Sequence, residues 1–548
     1  MKKFVSLRIY AVLALPFLVA SCNDAALDIV PKDQLTDATI WQSAENAGLF
    51  LNDIYYELNP GPVSSVWTAL PSEISNDPLD NFSDNSVSGN LAGIPSYEAF
   101  TQGAYSPSIP IFNDHWSNMY ANIRKCNILI EKVGSSDFAD EAKESLIAQA
   151  RFLRAYFYKW LIDLYGGVPI ITKPLDRNVD GDGIFAARNT YEECVSFVQQ
   201  ECEEAAVDLP LTATGSNVGR ATKGAAWALK SELELYAGKW EDAAATSLKI
   251  MESGAGYDLF PDYGTLFYEE NENNEEVIFD VQYAAEVKGV ITERYWNPTV
   301  VSDGGGWQAV NPTQDLVDDY EFLDGKTEAE GSTLFDPQNP YANRGKRFYA
   351  SIIYDGSEWK DDIIYTRLGI PNNRNEFGGV GATRTGYYLR KKVNPAIVPG
   401  TSSGQNSIVW RYAEVLLNYA EAKNEVLSTP DQSVYAAINK IRKRAGLPDL
   451  PAGLTKEQMR ERIRRERRVE LAFEGKRLFD LWRWRIADQV FSESLTAMKI
   501  TGTEGNLTYE KVAIDGGKVV FDPGKNYLMP IPEKVRARND KIDQNPNY

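Results

Sequence analysis

The run Ala225-Ala226-Trp227-Ala228-Leu229-Lys230-Ser231-Glu232-Leu233-Glu234-Leu235-Tyr236-Ala237-Gly238-Lys239-Trp240-Glu241-Asp242-Ala243-Ala244-Ala245 holds two helical segments and the turn between them. Ala225, Ala228, Leu229 and Leu235 recur at helical spacing, Gly238-Lys239 is a tight turn, and Ala243, Ala244 and Ala245 open the second segment. Small side chains let two helices approach closely. Tyr236 and Trp240, either side of the turn, are placed to fill the gap where the helices cross.

This pattern resembles a tetratricopeptide helix pair, in a degenerate form without a strict 34-residue period. Working outward, Leu153, Phe157, Trp160 and Leu164 form a further apolar stripe that ends at Gly166-Gly167. Helical periodicity returns at 408–446 and 456–484. One stripe is Trp410, Ala413, Leu417 and Ala420. Another is Val469, Ala472 and Phe473 followed by Leu478, Leu481 and Trp482. Between these parts Gly and Pro become frequent and short β-type runs appear, such as Val277-Ile278-Phe279-Asp280-Val281 and 348–354. The predicted fold is mainly α: a tetratricopeptide-like helical-repeat scaffold built from both ends of the chain, carrying a loop-rich lobe with short strands. The predicted organisation is a leader at 1–21, a tether at 22–40, an N-terminal helical part at 41–254, an irregular ligand-binding lobe at 255–405 and a C-terminal helical part at 406–548. Long irregular segments on a rigid scaffold are where binding usually sits.

The N-terminus adds an address. Lys2 and Lys3, an apolar run over 9–18 and then Val19-Ala20-Ser21-Cys22 read as a bacterial lipoprotein signal. The apolar run is too short for a permanent span, which needs about 20 residues. Cys22 is therefore the expected lipidation site, and the chain is expected to work outside the cytoplasm, tethered by its lipid. The alternative is an ordinary cleaved secretory signal. Of the 548 residues 43% are hydrophobic, enough for a large core or two lobes, and the net charge is −20. So acidic a chain is repelled by nucleic acid and by anionic headgroups, and suits a neutral ligand or a partner with basic patches. Cys194 and Cys202 lie about 12 Å apart along a helix, too far for a disulfide. No Cys/His spacing of the zinc type occurs, so neither a metal nor a cofactor is expected.

Several blocks, in this order, resemble the SusD/RagB family of Bacteroidetes outer-membrane lipoproteins. They are Leu35-Thr36-Asp37-Ala38-Thr39-Ile40-Trp41, Leu164-Tyr165-Gly166-Gly167-Val168-Pro169 and Thr385-Gly386-Tyr387-Tyr388. Arg411-Tyr412-Ala413-Glu414-Val415-Leu416-Leu417-Asn418-Tyr419-Ala420-Glu421-Ala422 and Glu466-Arg467-Arg468-Val469-Glu470-Leu471-Ala472-Phe473-Glu474-Gly475-Lys476-Arg477 follow. Pro530-Ile531-Pro532 and the terminal Gln544-Asn545-Pro546-Asn547-Tyr548 complete the set. The resemblance implies a surface protein at the outer membrane, seated over a SusC-like TonB-dependent β-barrel transporter. Such a protein captures oligosaccharides, or in some branches peptides, and is not an enzyme.

Aromatic rings suit sugars because the C–H face of a pyranose packs on them, while amides and carboxylates bind the hydroxyls. Trp116, Trp160, Trp227, Trp240, Trp410 and Trp482 sit in helical patterns and read as core. Trp296, Trp307 and Trp359 sit beside Gly, Pro, Asp and Ser in the lobe and are the candidate stacking residues. The resemblance also implies that the stretch before the first repeat helices, here 77–105, contributes to the site. Asp77, Asp80, Asn81 and Tyr97 are the candidate hydrogen-bonding residues, though the stretch lacks the Trp that family members stack sugars on. The Arg-rich run 460–468 reads as a helix laced by its own Glu461/Arg465 and Arg462/Glu466 pairs rather than as a nucleic-acid surface. Asp180-Gly181-Asp182-Gly183 lacks the full calcium-loop pattern and reads as a solvated turn. His115, the one histidine, reads as a packing or capping residue. Paired carboxylates of a glycoside hydrolase are the remaining enzymatic alternative.

Overall fold

The computed structural model describes residues 37–58, 78–89, 100–302 and 304–548. Cys22, the leader, the tether up to residue 36, and the candidates Asp77 and Tyr97 lie outside the described residues. The scaffold consists of α1 (Ala44–Tyr56), α2 (Pro110–Gly134), α3 (Asp140–Tyr165), α4 (Tyr191–Asp208), α5 (Lys223–Tyr236), α6 (Trp240–Met251), α7 (Tyr412–Val426), α8 (Gln432–Arg444) and α9 (Lys456–Glu470). From α2 to α6 each helix packs on the next, and α6 packs on α7, so the two ends of the chain close one helical layer. The α5–α6 pair shows why. Gly238 turns the chain at a φ of +69°, and Ser231 and Ser247 meet across the pair at 2.7 Å between hydroxyls. Leu235, Ala243, Ala244 and Ala422 bury together, with Tyr236 and Trp240 packed against them. Local signals start the helices: Thr190 with Glu193 and Thr455 with Gln458 form capping boxes.

The strands form two-stranded antiparallel pairs. In chain order they are β1 (Ser86–Ser88), β2 (Val277–Val281), β3 (Val310–Pro312), β4 (Ile352–Ile353), β5 (Ser357–Trp359), β6 (Asp362–Ile364), β7 (Tyr388–Leu389), β8 (Ser407–Arg411), β9 (Thr496–Thr503) and β10 (Asn506–Ala513). β2 pairs with β8, so the entrance and the exit of the lobe lie side by side. The helical stripe expected from Trp410 onward begins later than its spacing suggests. Residues 407–411 are extended and paired with β2, and the helix starts at Tyr412. Trp410 is buried from a strand, with its Nε1 donating to Glu232 at 2.9 Å. The β-type run at 348–354 is mostly the end of a short helix, Lys346–Ser351, followed by two strand residues. The β9–β10 hairpin is a further element that the helical stripes do not announce.

The lobe has its own core, which includes Trp296, Phe348, Trp359, Tyr387 and Tyr388 and draws in Val469, Ala472 and Phe473 from the scaffold side. The Arg-rich helix α9 joins the two. Its expected internal pairs are replaced by pairs to other elements. Glu466 binds Arg347 at 2.7 Å and Arg442 at 3.0 Å, Arg465 binds Glu330 at 2.7 Å, and Arg462 binds Glu330 at 2.8 Å. The physical reason is burial: one side of α9 faces the lobe, and a desolvated arginine there needs a carboxylate from the opposing surface. Behind it, fully buried Arg411 is held by Glu276 at 2.6 Å, Glu470 at 2.7 Å and Glu474 at 2.6 Å. Burial opposes the charge on Glu470, but Arg444, Arg411 and Arg347 outweigh it and hold the carboxyl well below the usual range. Among the described residues no helix is long and apolar enough to cross a membrane.

Candidate functional site

The sequence stretch before α2 and the Trp-bearing loops of the lobe meet through β1 and β3, with Val87 opposite Asn311. Segment 78–89 is fastened from below. Asp80 accepts from the backbone amides of Phe473 and Gly475, both at 2.9 Å, and from Asn85 Nδ2 at 2.8 Å. Burial raises the Asp80 carboxyl, and these hydrogen bonds oppose the shift. Asn81 donates to the carbonyl of Ala309 at 3.1 Å and accepts from Ser86 Oγ at 2.8 Å. Asp84 is gripped by Arg477 at 2.7 Å and Arg468 at 2.8 Å. Burial opposes this charge too, but the two guanidiniums hold the carboxyl well below the usual range.

On this base stands the loop that follows the short helix Thr292–Trp296. It folds back on itself: Gly306 N donates to Pro298 O at 2.7 Å, and Trp307 N donates to Arg294 O at 2.8 Å. Glycine is required at the bend, because a Cβ on Gly305 would lie 2.1 Å from Thr299 O and one on Gly306 2.6 Å from Asn297 O. The bend pushes Trp307 outward. Its ring stands edge-on to Tyr295 at 5.0 Å between centroids, with the Arg294 guanidinium 5.6 Å from the ring centre. A second glycine-rich loop is tied to the first. Asn375 brackets Val300, accepting from its N–H at 3.0 Å and donating to its carbonyl at 2.7 Å, and Thr299 Oγ1 donates to Gly381 O. Val300 and Val380 are exposed on these two loops. The result is an outward aromatic face on a rim fixed by hydrogen bonds, an arrangement suited to binding by contact.

The candidate residues divide sharply. Trp307 is 42% exposed, whereas Trp296 is 2% and Trp359 is 1% exposed. Trp359 sits behind the loop, its Nε1 donating to Asn297 Oδ1 at 2.8 Å, with Arg390 over its ring at 5.4 Å. The expected stacking role of Trp296 and Trp359 is therefore corrected. Their rings fill the lobe core and support the loop that presents Trp307. Asp80 and Asn81 are likewise buried and spend their polar atoms on the backbone and side chains just described. Tyr295, Arg294 and Asn375 are site residues that the sequence reading did not single out. The glycine run before Trp307 was the available signal for the loop. Nothing in the local pattern marks Tyr295 as the ring beneath it.

The other chemical candidates are absorbed by packing. His115 lies inside α2 against Trp160 at 6.4 Å and Tyr165 at 5.9 Å, and burial lowers its imidazole to about 3. Cys126, Cys194 and Cys202 are buried free thiols. Asp180 closes a short turn by pairing with Lys173 at 2.7 Å. Among the described residues no group of three His, Cys, Asp or Glu side chains is placed to hold a metal ion.

Two family profiles match the chain. "SusD family" matches residues 275–548, and "Starch-binding associating with outer membrane" matches residues 32–235. SusD-like protein P25 of Formosa agariphila is 25% identical over 499 residues, spanning 88% of this chain and 90% of its own. A solved SusD-like protein of Bacteroides fragilis superposes with a TM-score of 0.80 at 30% identity, covering 95% of this chain and all of the other. A SusD-like carbohydrate-binding protein, also of Bacteroides fragilis, gives 0.79 at 27% identity and covers 92% of this chain and 100% of the other. With one profile matching half of the chain, over 275–548, and a 30%-identical solved relative sharing the fold over 95% of it, the chain belongs to the SusD family.

Proposed function

We propose that this chain is a surface lipoprotein that captures glycans at the outer membrane and hands them to a SusC-like TonB-dependent β-barrel transporter. The observation that carries the reading is Trp307: an exposed indole, backed edge-on by Tyr295, on a glycine-bent loop that hydrogen bonds hold in place. A preformed aromatic face suits the C–H face of a pyranose, and a net charge of −20 is in keeping with a neutral ligand. Family membership, the outer-membrane wording of the second profile and the carbohydrate-binding name of a structural relative support it. The protein binds and does not cleave. Lipidation at Cys22 holds it beside the transporter, where tethering raises the effective concentration of captured ligand.

The test is binding of the chain from residue 23 onward to starch, laminarin and other neutral polysaccharides in affinity gels, with a peptide pool alongside. Retardation by one glycan is expected, and Trp307→Ala should weaken it roughly tenfold, in line with about 1–3 kcal/mol for a stacked ring. Binding to peptides alone overturns the glycan reading. Release of reducing ends by the purified protein overturns the non-enzymatic one.

A further inference from the structure

Among the described residues only two aromatic side chains are exposed, and they are not neighbours in the sequence: Trp307 and Tyr56, the latter 53% exposed. Tyr56 does not stand on an open face. It lines a groove of about 370 Å³ between the C-terminal end of α1, the loop 215–220 and the segment that follows β2. That volume lies in the range of ligand pockets. Tyr55, Tyr56 and Tyr283 supply the aromatic walls, and Asn52, Ser216 and Gln282 supply amide and hydroxyl groups. Beyond Val218, Gly219 and Arg220 lies a second recess of about 300 Å³, where Tyr257, Asn273 and Asn274 repeat the same mixture. The two recesses share Val218, Gly219, Arg220 and Asp280, so the depression is elongated.

Gly219 makes this geometry. Its φ is +83°, and a Cβ there would fall 2.3 Å from Cγ of Gln282, so only glycine lets the loop lie against the segment after β2. The ionic side chains along the groove are held by neutral hydrogen-bond partners and aromatic rings of the protein. Arg220 donates to Gln149 and Asn52 and lies 5.5 Å over the Tyr55 ring. Lys288 donates to the Tyr56 carbonyl at 3.0 Å and sits 3.1 Å from the centre of that ring. Asp280 is buried and accepts from Gln282 at 2.6 Å and Asn406 at 3.1 Å. What the groove presents is aromatic, amide and hydroxyl surface, with Arg220, Lys288 and Asp280 hydrogen-bonded at its edges. That chemistry matches a neutral polyhydroxylated chain, whose C–H faces pack on rings and whose hydroxyls pair with amides.

We propose that this groove is a second carbohydrate subsite, holding a run of a neutral polysaccharide, with Tyr56 as its stacking platform and Asn52, Ser216 and Gln282 as hydroxyl partners. The proposal rests on the glycan-capture reading of the Trp307 rim and extends it. The test uses the chain from residue 23 onward and measures affinity-gel retardation by starch and laminarin for Tyr56→Ala, Val287→Asp, Trp307→Ala and the Tyr56→Ala/Trp307→Ala double variant. Val287 borders the groove and is 85% exposed, so Val287→Asp changes the groove with little effect on folding. The expected result is a five- to tenfold weakening for each groove variant, with the double variant weaker than either single one. Wild-type retardation of Tyr56→Ala and Val287→Asp, alongside loss in Trp307→Ala, overturns the groove and leaves the rim standing. Loss in the groove variants with Trp307→Ala unaffected supports the groove and overturns the rim. Silence of the unmodified chain on both polysaccharides overturns the groove proposal.

Discussion

In the scaffold, Ser231 and Ser247 touch at 2.7 Å across a turn and are 16 residues apart in sequence. In the lobe, Trp359 reaches Asn297 across 62 residues, and Asn81 reaches Ala309 across 228. The scaffold buries its apolar face mainly through neighbours in sequence, whereas the lobe is assembled by remote polar contacts around an aromatic core. Between them lies a layer of buried ion pairs centred on Arg411 and Glu470. The difference teaches where each kind of residue acts. Small side chains set how closely the helices approach, remote hydrogen bonds set where a ring is presented, and buried charges lock one body to the other.

Removing the lock is the harshest way to break the contrast. Arg411→Leu leaves Glu276, Glu470 and Glu474 buried with a partner missing, and a loss of about 3–5 kcal/mol in urea unfolding is expected. A loss under 1 kcal/mol would show that the remaining arginines reorganise around the carboxylates. Next, two tryptophans of one lobe should part company. Trp359→Ala, in the core, is expected to cost about 3–5 kcal/mol of stability. Trp307→Ala should cost less than about 0.5 kcal/mol while weakening ligand binding. Equal effects of the two on thermal unfolding would erase the distinction between a supporting and a presenting ring.

On the scaffold side, Ser247→Leu forces a larger side chain into the α5–α6 contact and should cost about 1–3 kcal/mol, read from the midpoint of chemical unfolding. The smallest effect is a slope. Burial, with Asp280 and Glu269 beside it, pushes Glu272 up to about 7, and burial pushes Asp280 up to about 6. A carboxyl whose folded pKa is raised contributes stability that is complete below its unfolded value, about 4.3 for Glu, and fades as pH rises through the folded value. Between about pH 4 and pH 7 these two groups therefore make stability fall. Glu272→Gln should flatten that decline in a pH series of unfolding midpoints, and an unchanged slope would remove Glu272 as its source.

How far the sequence is legible follows the same divide. The α5–α6 pair could be read from Ala225 to Ala245 because its periodicity and its turn are local. At Ser407–Arg411 a helical spacing misled, since Trp410 is buried equally well from a strand that pairs with a segment some 130 residues away. In α9 the i,i+4 charge pattern was real, but Arg462 and Arg465 take their carboxylate from Glu330 of the lobe, while Arg460 and Arg467 pair with Glu425 and Asp480 of the C-terminal helical part. The Gly304-Gly305-Gly306 run marked a bend, yet three tryptophans in similar polar surroundings gave no local means of telling Trp307 from Trp296 and Trp359.

By itself the chain's sequence determined the helical class, the α5–α6 pairing, the loop-rich middle and the family, because periodicity, turn residues and ordered motifs are properties of neighbouring residues. Only the tertiary structure decided which tryptophan faces outward, that Asp80 and Asn81 are buried and hydrogen-bonded to other segments, and that Tyr56 lines a groove. Burial of a side chain depends on what the rest of the chain brings against it, and those partners lie tens to hundreds of residues away.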